Sequence, residues 1–142
     1  MRLSSVCLTA LIFLAACAPA DREAEVRAFI AEAVAAIEAR RTGFFRAHID
    51  PGYVDSRGQT ADQLLDRVRA FFLVNRQVEV FSRVIDVQLN GEDFADVTVQ
   101  AALIGRREGF DLDAELRSIE LELVRDGSDW LVIGVDWAAS AD

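Results

Sequence analysis

The chain has 142 residues, 52% of them hydrophobic and 27% charged, with 15 basic residues against 24 acidic ones and a net charge of −9. That length suits one core and not several. Every basic residue is arginine, and the acidic balance excludes electrostatic docking on nucleic acid or on an anionic membrane surface, both of which need basic patches.

In chain order, Met1-Arg2-Leu3-Ser4-Ser5 leads into an apolar run of eleven residues from Val6 to Ala16, broken only by Thr9 and ending Leu14-Ala15-Ala16-Cys17. A permanent membrane helix needs roughly 20 apolar residues, so this run reads as a cleavable secretory signal. Its last four residues resemble the lipobox of bacterial lipoproteins. The resemblance implies a thioether from Cys17 to diacylglycerol, cleavage just before that cysteine, and acylation of the new amine. Two or three acyl chains anchor stably, since each buried methylene contributes about 0.8 kcal/mol and one chain alone is marginal.

Residues 1–16 are therefore expected to be removed. Without Arg2 the remaining 126 residues carry 14 arginines against 24 acids, a net −10. Cys7 leaves with the signal, so no internal disulfide can form in a compartment that would permit one. Residues 17–20 make a tether of about 10 Å when extended, and residues 21–142 make one domain. With no polybasic patch, the lipid on Cys17 is the link to the membrane. By analogy with Gram-negative lipoprotein sorting, Ala18 in place of Asp after the cysteine favours the outer membrane, with the domain facing the periplasm.

From Asp21, the apolar positions Val26, Phe29, Ile30, Ala33, Val34 and Ile37 recur at the three-and-four spacing of a core-facing helix, predicted from Asp21 to about Arg41. The polar face is rich in Glu, where membrane-surface helices carry Lys and Arg. A short helix is expected over Phe44–Ile49 and ends at the turn Asp50-Pro51-Gly52, and Tyr53-Val54 forms a brief extended segment. Thr60-Ala61-Asp62-Gln63 has the form of a capping box. The helix it opens carries Leu64, Leu65, Val68, Phe71 and Phe72 on its buried stripe and ends near Asn75.

After Arg76 the period becomes alternating, and strands are predicted at about Gln77–Leu89, Phe94–Ile104, Leu116–Arg125 and Trp130–Trp137. Asn90-Gly91 and Asp126-Gly127 are hairpin signals, because tight turns that match strand twist need positive φ. The polar stretch from Gly105 to Glu115, around Phe110, reads as a flap, a hairpin tip or a partner loop.

This order of elements resembles the cone fold of the nuclear transport factor 2-like superfamily: an α+β domain with three N-terminal helices packed on a curved antiparallel sheet. Three landmarks carry the likeness: Tyr53-Val54-Asp55-Ser56-Arg57-Gly58 before the third helix, Phe71-Phe72 on it, and the final Trp130-Leu131-Val132. It is most similar to small bacterial lipoproteins of that superfamily with no assigned activity. Enzymes of the superfamily, among them ketosteroid isomerases, scytalone dehydratases, polyketide cyclases and epoxide hydrolases, use acids, His or Tyr that project between sheet and helices. None of their motifs is matched residue by residue, so no catalytic position carries over.

Side-chain parity then becomes the test of chemistry. On the second strand Ala95, Val97, Val99, Ala101 and Leu103 share the helix-side face, with Asp96, Thr98 and Gln100 opposite. On the third strand Ile119, Leu121 and Leu123 oppose Ser118, Glu120 and Glu122. On the fourth, Leu131, Ile133, Val135 and Trp137 oppose Asp136. The acids are thus expected to face away from the helices, leaving an inner face that can pack or hold an apolar ligand but cannot move a proton.

The first strand breaks the rule, as a bulge or burial on both faces would make it do; Ser82 or Asp86 could then line a pocket, with a solvent-facing Asp86 as the alternative. His48 is the sole histidine, and with no free cysteine partner left after export no metal site is expected around it. It reads as a surface or turn residue at a helix end, with a catalytic role as the alternative. Tyr53 and Asp55 point the same way from one strand and offer a phenol beside a carboxylate; otherwise Tyr53 packs and Asp55 pins the turn.

The leading expectation is a non-enzymatic envelope lipoprotein that binds a small apolar molecule or an envelope protein and uses no cofactor. The alternatives are a pocket enzyme of the isomerase or dehydratase type using Tyr53 and Asp55, and a structural module that forms a homodimer through the outer sheet face.

Overall fold

The computed structural model describes residues 18–107, 110–111 and 116–137. The signal run and Cys17 lie outside the described residues, as do 108–109 and 112–115 of the predicted flap. Helices α1 (Pro19–Glu38), α2 (Thr42–His48) and α3 (Ala61–Val74) precede strands β1 (Gln77–Asn90), β2 (Phe94–Arg107), β3 (Phe110–Asp111), β4 (Leu116–Asp126) and β5 (Asp129–Asp136). The strands pair antiparallel in the order β1-β2-β4-β5, and β3 folds back on the end of β2. The expected α+β arrangement of three helices on an antiparallel sheet is the one that forms.

Local chemistry explains the boundaries. α1 starts two residues before the predicted Asp21 because Pro19 suits a first turn, where its missing N–H has no partner to lose. α3 is opened by the capping box: the Gln63 amide donates to the Thr60 hydroxyl, and the Gln63 side chain accepts from the Thr60 amide. Gly91 and Gly127, at φ +70° and +63°, turn the two hairpins.

α1 lies antiparallel to β1. Arg22 at its start donates to the Gly91 carbonyl at 2.7 Å, and Glu38 at its end accepts from the Val80 amide at 3.0 Å. Between those ties Val26, Phe29 and Ile30 bury against Ala95, Val97, Val99, Leu123 and Trp130. A second cluster joins Ile49, Tyr53, Ala61 and Val135, with Phe45, Leu64, Leu65 and Trp137 packed around it. Fully burying side chains of this size contributes about 1.5–3 kcal/mol each.

Two bulges reset the parity of the edge strands. On β1 the register shifts between Val84 and Asp86, so Val84 and Val87 pack against the core while Asp86 joins the outer face opposite Thr98. This accounts for the irregular pattern of that strand. On β5 the register shifts so that Leu123 pairs with Val132 and Glu122 with Gly134. The inward residues there are therefore Trp130 and Val132, then Val135. The expected inward set of Leu131 and Ile133 is wrong, because one extra residue flips every side chain that precedes it.

The acids do face outward. Asp86, Asp96, Glu120, Glu122 and Asp136 line one hollow on the outer sheet face, of about 310 Å³. Gly134 makes room for this arrangement: a Cβ there would come within 2.9 Å of a Glu122 carboxylate oxygen.

Candidate functional site

The segment from Asp50 to Ser56 runs along the free edge of β5. Amides of Asp50, Val54 and Ser56 donate to the carbonyls of Val132, Ile133 and Val135 at 3.0, 3.3 and 3.0 Å, which closes an edge that would otherwise be open to strand addition. Because this stretch is extended, its side chains alternate: Val54 is exposed, whereas Tyr53 and Asp55 both turn inward and are buried. The structure thus brings the two predicted site residues together.

Their hydrogen bonding divides them. Asp55 Oδ1 accepts from the amides of Arg57 and Gln59 at 2.9 and 2.8 Å, and Oδ2 accepts from Trp137 Nε1 at 3.1 Å. Burial raises its pKa, but the Gln59 amide, the Trp137 indole and the Arg57 amide and guanidinium outweigh that and hold the carboxyl below its ordinary range. Asp55 is therefore a turn-pinning carboxylate that accepts three hydrogen bonds from the turn and the Trp137 indole.

Tyr53 is 1% exposed, and its hydroxyl has no hydrogen-bond partner. Burial first, and the Asp55 charge second, push the phenol well above its ordinary pKa. It stays a neutral donor at physiological pH. A buried donor without a partner costs about 1–3 kcal/mol.

His48 stands apart. Its ring stacks on Phe44 at 4.2 Å between centroids and lies 5.6 Å from Phe29, and Nδ1 donates to the Phe44 carbonyl at 2.9 Å. This is a half-buried helix-end histidine whose aromatic neighbours hold its plane. Among the described residues no group of three or more His, Cys, Asp or Glu is placed to hold a metal ion. Ser82 lies exposed on the helix side of β1, and Asp86 lies in the acidic outer hollow.

Sequence reading missed Trp137 as the partner of Asp55 because the two lie 82 positions apart. It also missed a second hollow where the ends of α1 and α3 meet, lined by Arg40, Thr42, Arg69, Phe72 and Leu73 with Ala39. Neither this hollow nor the acidic one lies between the sheet and the helices.

No protein-family model matches the chain, and no curated protein matches its sequence. Solved structures do match in shape. A provisional scytalone dehydratase from Novosphingobium aromaticivorans superposes with a TM-score of 0.74 at 12% identity, over 85% of this chain and 87% of the other. A nuclear transport factor 2-like protein from Salmonella enterica serovar Typhimurium gives 0.72 at 11% identity, over 88% and 95%. A domain of unknown function with a cystatin-like fold from Nostoc punctiforme gives 0.67 at 15%, over 88% and 80%. The likeness is one of fold.

Proposed function

We propose that this chain, which has the nuclear transport factor 2-like fold, is a lipid-anchored bacterial envelope protein that acts as a non-enzymatic binding module for a small apolar ligand or an envelope protein. One observation carries the non-enzymatic part: Asp55, the one buried carboxylate among the described residues, already accepts three hydrogen bonds. An interior whose buried carboxylate is already engaged offers no free general base, so it can bind but is poorly set up to relay a proton. The anchoring part rests on the lipobox-like LAAC and on the start of α1 at Pro19, which leaves Ala18 alone between the helix and Cys17. On this reading the domain stands against its membrane, at the periplasmic side of the outer membrane.

Two measurements test it. Cys17→Ser should abolish incorporation of labelled palmitate and release an unprocessed or soluble form; acylation that persists in the variant ends the anchoring proposal. Mass spectrometry of the protein purified natively from membranes should find a co-isolated apolar molecule or envelope protein. A homodimer through the outer sheet face would press two copies of the five-acid hollow together, so it is not the reading favoured.

A pocket enzyme of the isomerase or dehydratase type remains the second reading, and the unpartnered Tyr53 hydroxyl is what favours it. Tyr53→Phe separates the two. If the phenol has no ligand, removing it relieves an unsatisfied donor, and stability should hold or rise by up to about 1 kcal/mol. If it donates to a bound oxygen, the co-isolated molecule or any turnover should be lost while the fold is kept.

A further inference from the structure

The hollow between the ends of α1 and α3 measures about 420 Å³, within the size range of small-molecule sites. Its lining is divided. Phe72 and Leu73 form an apolar side, and Leu73 is 84% exposed. Arg40, Arg69 and the Thr42 hydroxyl supply donors and positive charge on the other side, in a chain whose net charge is −9.

Arg40 stands where the backbone prefers glycine. α1 closes in a Schellman motif: the Arg40 amide donates to the Ile37 carbonyl at 2.9 Å and the Arg41 amide to the Ala36 carbonyl at 2.8 Å. The motif sets Arg40 at φ +52°, whereas the other positive-φ positions among the described residues are Gly58, Gly91 and Gly127. A side chain kept at such a position against its backbone preference is a mark of ligand sites. Arg40 Nη1 lies 3.5 Å from the Phe72 carbonyl, a long contact that occupies one donor of five. Arg69 pairs with the exposed Asp66 at 2.9 Å, and a solvent-exposed pair of this kind yields readily to a competing anion.

We propose that this hollow binds a small amphiphile with a single anionic head, a carboxylate or a phosphate monoester, on an apolar body. The head sits on Arg40, Arg69 and Thr42, and the body lies along Phe72 and Leu73. The twenty residues of α1 put the site about 30 Å from the start of that helix, away from the point where Cys17 would be anchored. A free amphiphile and not a bilayer headgroup is thus the occupant. The site is separate from the Tyr53 interior; its lining does not depend on the anchoring proposal, and the choice of a free amphiphile over a headgroup rests on it.

The full chain as isolated from its cells is titrated with decanoate, decyl phosphate and neutral decanol. Both anions should bind, and decanol should bind at least about tenfold more weakly, the loss of one charge-assisted contact. Arg40→Gly and Arg69→Gln should each weaken the anions about tenfold. Arg40→Gly should leave Tm unchanged or raised, because glycine accepts the positive φ. Decanol binding as tightly as the anions, variants that bind like the parent, or no binding at all would overturn the proposal. So would binding to phosphatidylglycerol vesicles without binding to free amphiphile. A drop in Tm for Arg40→Gly with anion binding intact would make Arg40 a cap for α3 and nothing more.

Discussion

Gly105→Ala is expected to destabilise the domain by about 2–3 kcal/mol, at the upper end of overpacking substitutions, and to lower Tm by roughly 10 °C. A Cβ at Gly105 would lie 2.5 Å from Asn75 Oδ1, 2.7 Å from its Cγ and 3.0 Å from Phe71 Cζ. The neighbour cannot retreat. Asn75 has no exposed surface, and both its amide and its Nδ2 donate to the Phe71 carbonyl, at 3.0 and 2.8 Å, to end α3. Gly105 in turn is fixed by its pairing with Val78 on β1. This close approach is what seats the end of α3 on the sheet. Gly43→Ala is the control: within α2 and with nothing inside 4 Å of its Cβ position, it should stabilise by about 0.5–1 kcal/mol. Thermal unfolding followed by circular dichroism checks both, and a Gly105→Ala protein that melts with the parent would refute the packing account.

The same glycine shows where sequence reading stops. Gly105 read as the start of a loop, since glycine inside a strand pattern is usually a break; here it marks the approach of another backbone, and β2 continues to Arg107. Features set by nearest neighbours were legible. The capping box, the hairpin glycines and the outward acids follow from residue type and period, and all three are present. The end of α1 was not legible, because Arg40 holds the position that glycine would have signalled, and the helix stops at Glu38 instead of near Arg41.

The bulge in β5 was also hidden. Leu131, Val132 and Ile133 are all aliphatic, so the pattern gives no sign of which one is extra, whereas the mixed residues of β1 betray its bulge. At the candidate site, spacing placed Tyr53 and Asp55 on one face but could not say that Trp137, just past the end of β5, would occupy the carboxylate.

That occupation makes the second large effect an acid one. Asp55→Ala should unfold the domain at a Tm depressed about as far as that of Gly105→Ala, because it strands the Arg57 and Gln59 amides and the Trp137 indole together. Asp55→Asn should fall between that variant and the parent: its carbonyl oxygen can still accept from the two turn amides, but its NH2 group would face the Trp137 N–H, donor against donor.

The pH dependence separates charge from shape. The folded-state pKa of Asp55 lies below its unfolded value, so the carboxylate stabilises the fold fully above the unfolded pKa of about 4, and that contribution is lost as pH falls through the folded pKa. The stability gap between the parent and Asp55→Asn should therefore be constant near neutrality and narrow below about pH 4. Urea unfolding of both proteins at neutral pH and near pH 3, followed by tryptophan fluorescence, measures that gap. A gap that persists undiminished in acid would mean that Asp55 acts through its shape alone, and its ionised carboxylate would no longer explain how the turn after Tyr53 is held.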